Sequence, residues 1–140
     1  MSIRRCFPLR YLTVLMLVAL PTAAVAAHRV DCHVTYGGET RVYSARPVDK
    51  PYGVEARPVG SYFLFRPVFQ AGPPDVAGIH VYTYVKRDYG PVIIHQSSHP
   101  VPRGRDEGKG YGFTGLQRVY EPLGDGELEY WCEQVREGRP

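Results

Sequence analysis

Three histidines, two tyrosines and a serine fall at spacings that gather them on one face of a β-hairpin. His80, Tyr82 and Tyr84 alternate along residues 79–86, and His95, Ser97 and His99 alternate after the turn at Asp88-Tyr89-Gly90-Pro91. With Tyr89-Gly90 as a two-residue turn, Tyr84 faces His95, Tyr82 faces Ser97 and His80 faces His99. Strand side chains alternate with period two, so all six then share one face. Imidazoles on neighbouring strands suit a zinc or copper ion. Tyrosine rings and hydroxyls on the same face make a binding platform. A register shift of one residue splits the set.

A further metal candidate is His28. The small-residue tail Ala23-Ala24-Val25-Ala26-Ala27 allows a signal peptidase to cut after Ala26 or after Ala27. The second cut leaves His28 first, offering an amine and an imidazole to one copper ion. That arrangement resembles the copper site of some exported β-sandwich copper carriers and copper oxygenases, on one residue and a compartment, with no shared motif. The first cut leaves His28 as an ordinary terminal residue.

The segment 97–112 reads as a long polar loop. It carries Arg103 and Arg105, whose guanidinium groups suit a carboxylate or phosphate. Its glycines, Gly104, Gly108, Gly110 and Gly112, match no phosphate-binding pattern. Loops of this length contact partners or stay disordered. In the last hairpin, around Leu123-Gly124-Asp125-Gly126, a four-residue turn sets Trp131 opposite Arg118 and Glu129 opposite Tyr120. A cation–π contact there is worth about 0.5–1 kcal/mol.

Catalytic signatures are lacking. There is no Gly-x-Ser-x-Gly and no His-Glu-x-x-His. Ser98 and His99 are neighbours, so on a strand they point to opposite faces. Glu127 and Glu129 lie on a charged strand with no sign of a desolvating pocket. The enzyme reading that remains is a small hydrolase of unrecognised type.

The first 27 residues have the zones of a cleaved secretory signal: Arg4, Arg5 and Arg10, an apolar run from Tyr11 to Leu20, then Pro21 and the small-residue tail. Arg4-Arg5-Cys6-Phe7 also partly matches the twin-arginine export signal. The run is too short to span a bilayer, so no integral membrane segment is expected after cleavage. The whole chain holds 17 Lys+Arg against 14 Asp+Glu. Cleavage removes three basic residues and no acidic ones, which leaves the charges balanced. A neutral chain lacks the field that attracts nucleic acid. Cys6 leaves with the signal, so Cys32 and Cys132 remain. In a periplasmic or secreted chain they are expected to pair.

The elements that must position these residues read as strands. Val30, Cys32, Val34 and Tyr36 alternate with polar residues, and Gly37-Gly38 fits a hairpin turn. Further strands are expected at 40–45, 62–69, 79–86, 92–97, 113–120 and 128–135, with 46–61 irregular and Pro67 forcing a bend or an edge. Arg-Pro-Val recurs at 46–48, 57–59 and 66–68 with unequal spacing, which reads as coincidence. The expected fold is all-β: residues 28–140 as one small antiparallel sandwich of about seven strands and immunoglobulin-like size, with a partly open barrel as the alternative. The expected function is non-catalytic binding of an envelope protein or polymer, through Tyr82, Tyr84, His95, Ser97, His99, Arg103 and Arg105. The alternative is copper or zinc binding through His28, His80, His95 and His99.

Overall fold

Gly37 and Gly38 both take positive φ, 61° and 80°, so the chain reverses in two residues. That places Tyr36 opposite Glu39 and pairs β1 (His28–Tyr36) with β2 (Glu39–Ala45). The computed structural model describes residues 28–103 and 110–137. The expected leader (1–27), its cleavage sites and Arg105 lie outside the described residues.

The remaining strands are β3 (Pro47–Val48), β4 (Arg57–Val59), β5 (Phe63–Gln70), β6 (Gly78–Arg87), β7 (Gly90–His99), β8 (Gln117–Glu121) and β9 (Gly126–Arg136). Seven correspond to the strands that alternation predicts. The short β3 and β4 arise in the stretch 46–61, expected to be irregular, which also holds a 3-10 turn at Pro51–Gly53.

Two sheets result. One is antiparallel in the order β2-β1-β9-β8. The other runs β3-β5-β6-β7, with β4 also paired to β5. Because β6 occupies one edge of β5 along its whole length, β3 and β4 share the other. Pro67, which has no N–H to give, sits in the interval between their two pairings. The Arg-Pro-Val segments at β3 and β4 pair with β5 in opposite senses, parallel and antiparallel, so the tripeptide has no common geometry.

The inner faces meet in one buried cluster. Val30, Cys32 and Val34 of β1 and Leu128, Tyr130 and Cys132 of β9 pack with Phe63, Phe65 and Phe69 of β5 and Ile79 and Val81 of β6. Burial of this apolar surface is the main term holding the sheets together. The Cys32–Cys132 disulfide joins residues directly opposite each other on the paired strands β1 and β9, with Cα atoms 4.0 Å apart. It therefore staples the first strand to the last within one sheet.

A second tie crosses between sheets. The buried carboxylate of Glu121, on β8, accepts hydrogen bonds from Tyr62 and Arg87 and from the backbone N–H groups of Leu123 (3.2 Å) and Gly124 (2.7 Å). Among the described residues no helix is long and apolar enough to cross a membrane.

Candidate functional site

The β6–β7 hairpin, and a bulge in its second strand above all, decides where the histidine and tyrosine side chains go. Arg87 pairs with Gly90, so Asp88-Tyr89 is the two-residue turn and the expected pairing of Asp88 with Pro91 does not form. A bulge then falls between the Tyr84–Ile93 and Thr83–His95 pairs, with Ile94 as the extra residue. Beyond it Tyr82 faces Gln96, His80 faces Ser98 and Ile79 faces His99. The expected six-residue face is therefore split. His80, Tyr82 and Tyr84 lie on the outer face of their sheet, and His95, Ser97 and His99 turn inward.

The outer half forms a groove. Register sets Arg66, Tyr82 and Gln96 in one row across β5, β6 and β7, and Val68, His80 and Ser98 in the next. Apart from the buried Val68, these residues line a cavity of about 360 Å³ together with Pro51, Tyr52, Gln70 and Val76. Arg66 is its fixed point. Its Nη1 donates to Tyr84 Oη at 3.2 Å and its Nη2 to the Pro51 carbonyl at 3.0 Å. The guanidinium carbon lies 5.1 Å from the centre of the Tyr82 ring, a cation–π distance. The Arg66 Nε–H is enclosed without an acceptor. Beside it His80 Nδ1 and Ser98 Oγ share a hydrogen bond of 2.9 Å. Tyr52, 95% exposed, stands at the rim.

The inward half forms a hydrogen-bonded chain around the fully buried Tyr130. The Tyr130 hydroxyl meets His95 Nε2 at 2.9 Å and Ser97 Oγ at 2.8 Å, and Ser97 Oγ meets His99 Nε2 at 3.2 Å. Burial lowers both imidazoles below their ordinary pKa. The neighbouring His99 lowers His95 further, and His80 does the same to His99. Burial raises the Tyr130 phenol, and the Ser97 bond partly offsets this. The His99–Ser97 contact has the reach of a base and a nucleophile. The same serine oxygen is tied to Tyr130, and the His99 ring packs edge-on against Phe113. The chain of contacts satisfies a buried phenol that would otherwise lose its hydrogen bonds.

The three histidines of the β6–β7 hairpin do not share one face. Among the described residues no three histidine, cysteine or carboxylate side chains gather to hold a metal ion. His80 faces out while His95 and His99 face in, and His28 begins β1 opposite Arg136. Arg103 is exposed at the end of the described part of its loop.

The last hairpin also differs from expectation. Glu121 pairs with Gly126, so the turn is Pro122–Asp125 and Arg118 faces Glu129, with an ion pair of 2.7 Å. Tyr120 faces Glu127, and Trp131 pairs across β1 with His33.

A larger cavity, about 410 Å³, opens beside β3 and β4 between Arg46, Arg57 and Phe69. Its arginines are engaged already. Arg46 pairs with Glu137 at 2.7 Å, and Arg57 lies over Tyr43 and donates to the Ser44 carbonyl. Glu55 also lines this larger cavity, whereas no carboxylate lines the smaller groove.

Sequence reasoning missed Arg66 and Gln96. Arg66 had a signal: it is the single charged residue in the apolar run 62–69. Gln96 had none, because its face depends on the bulge.

Fold and groove together define a disulfide-closed antiparallel β-sandwich with an arginine–tyrosine depression on one outer face. No protein-family model matches the chain, and neither a curated protein nor a solved structure matches it significantly. The functional reading therefore rests on this geometry.

Proposed function

We propose that the protein is an exported, non-catalytic binding module of the cell envelope, and that it binds through the outer face of β5, β6 and β7. The observation that carries this is the Arg66–Tyr82–Tyr84 cluster: a partly buried guanidinium held in place by two tyrosines at the floor of an open groove. Tyrosine and arginine are enriched in binding hot spots, and tyrosine supplies contact area with little loss of side-chain freedom. The buried disulfide suits an oxidising compartment, and the signal-like segment 1–27 supports export.

The test is chemical-shift mapping on isotope-labelled protein, titrated with solubilised envelope fractions of protein and of polysaccharide. The expected shifts centre on His80, Tyr82, Tyr84 and Gln96, and Tyr82→Ala removes them. Tyr89→Ala, at the exposed β6–β7 turn, leaves them intact. Shifts centred on Tyr130 and Phe113, or no shifts with any fraction, overturn the reading.

A further inference from the structure

We infer that the groove takes a carboxylate-bearing sugar unit of an acidic polysaccharide, an inference that rests on the outer face of β5–β7 being the binding face. The first argument is charge. Arg29, Arg41, Arg46, Arg87 and Arg118 each hold a carboxylate of this chain. Among the described residues Arg66 is the partly buried arginine that holds none. The groove lining contains Arg66 and His80 but no aspartate or glutamate. A guanidinium partly removed from water with no counter-charge is unfavourable, and an arriving carboxylate relieves it. Two of its four terminal N–H bonds are used, by Tyr84 and Pro51. One N–H remains on each terminal nitrogen, and a guanidinium can offer two N–H groups to one carboxylate.

The second argument is the remaining lining. Gln96 and Ser98 are exposed, and Tyr82 adds a phenol. Amide and hydroxyl groups both donate and accept, which suits a ligand covered in hydroxyls. The Tyr52 ring at the rim offers a flat apolar surface for the C–H face of a sugar ring. Pro51 and Val76 are the aliphatic residues of the lining, so there is no deep socket for the apolar anchor of a peptide. The groove also lies on the face of the sheet. There the backbone groups of β5 and β6 are used in pairing on both sides, so a peptide adding as a further strand would do so at the β7 edge of the sheet and not in the groove.

The experiment is calorimetry on the disulfide-bonded chain 28–140 with three probes: trigalacturonate, its methyl ester, and a hexapeptide of aspartate and glutamate. Trigalacturonate is expected to bind at least tenfold more tightly than its ester. Arg66→Gln is expected to erase that preference, and Tyr52→Ala to weaken the acidic sugar several-fold. Tyr52 is so exposed that its removal leaves the fold intact, so the test survives if Arg66→Gln fails to fold. Equal binding of acid and ester, both lost in Tyr82→Ala, overturns the acidic assignment and leaves the binding face standing. Binding of the peptide alone overturns the sugar and again leaves the face. Binding of no probe overturns this inference, while the shift mapping decides the binding face separately.

Discussion

The imidazole of His33 lies flat on the indole of Trp131, with ring centres 3.9 Å apart and planes 6° from parallel. The two residues are register partners across β1 and β9, so the stack lies across the seam between the first and last strands. His33 Nε2 also meets Glu133 Oε1 at 2.8 Å, and Tyr111 approaches the indole edge-on. Sequence reasoning had given Trp131 to Arg118; the structure gives it to His33.

Removing one ring of this stack exposes the other. His33→Ala is expected to lower stability by roughly 0.5–1.5 kcal/mol, the range for a cross-strand aromatic pair. Trp131 is the chain's single tryptophan, so its emission reports the change without ambiguity. The expected shift is to longer wavelength, measured together with a denaturant titration. An unchanged spectrum contradicts the stack.

Glu121 sets the acid limit of the fold. The Tyr62 hydrogen bond, then Arg87 and the Gly124 and Leu123 amides, hold its carboxyl down at about 2, against desolvation, from an ordinary 4.5. A carboxyl depressed in the folded state contributes stability that is present above the unfolded value and is lost as pH falls toward the folded one. Glu121→Gln is therefore expected to lower Tm at pH 7. Its deficit against the natural chain should shrink between pH 4.5 and 2. Thermal melts across that window check it, and a constant deficit counts against the ion cluster.

His95 and His99 act at higher pH. Both are held below the ordinary value of 6.5 by burial. Their unfolded forms take up protons first as pH falls, so stability is expected to decline below about pH 6.5. His95→Gln keeps a polar partner for the Tyr130 hydroxyl and removes one titrating group. Its stability profile between pH 7 and 5 is expected to be flatter than that of the natural chain.

The disulfide closes a loop with a sequence separation of 100. In the chain-entropy account that is worth about 4.7 kcal/mol. The double variant Cys32→Ala with Cys132→Ala should lose most of this in a denaturant titration. Both cysteines are fully buried, so reductant is expected to act on the folded protein only as fast as the β1–β9 seam opens.

Gly112 presses its backbone onto the strand that carries Cys132. It has φ of 58°, and an added Cβ would meet the Cys132 carbonyl oxygen at 2.1 Å. The next residue, Phe113, donates its N–H to the same oxygen at 3.0 Å. Gly112→Ala is expected to cost about 1–3 kcal/mol from the left-handed backbone alone, with the steric clash in addition. Gly37→Ala, which has open space around it, should cost less. Paired melting curves distinguish the two.

The strands were legible because alternation at Val30–Tyr36 and Ile79–Val85 is a direct imprint of one buried face. Their registers were legible only where the turn carried its glycines in the turn itself, as at Gly37-Gly38. In both later hairpins the glycine stands one position further on. Gly90 opens β7 with φ of 119°, and Gly126 opens β9 while Asp125 takes the positive φ. Placing those glycines inside the turn moves each pairing along by two residues, which changes partners but not faces. In β7 the bulge at Ile94 then turns His95 and His99 inward, and no residue type there announces it. Arg66 was visible as a lone charge in an apolar run, but its partners Tyr82 and Tyr84 follow only from the observed register.

The staple between the first and last strands also fixes how the molecule carries tension. A pull applied at His28 and Glu137 runs along β1 only to Cys32, crosses the covalent bridge to Cys132, and leaves along β9. Only the few residues outside the bridge are stretched. The hundred-residue circuit within it, including the groove on β5–β7, bears no load. Held by these two residues, the protein would keep the outer face of β5–β7 undeformed until the bridge itself was reduced.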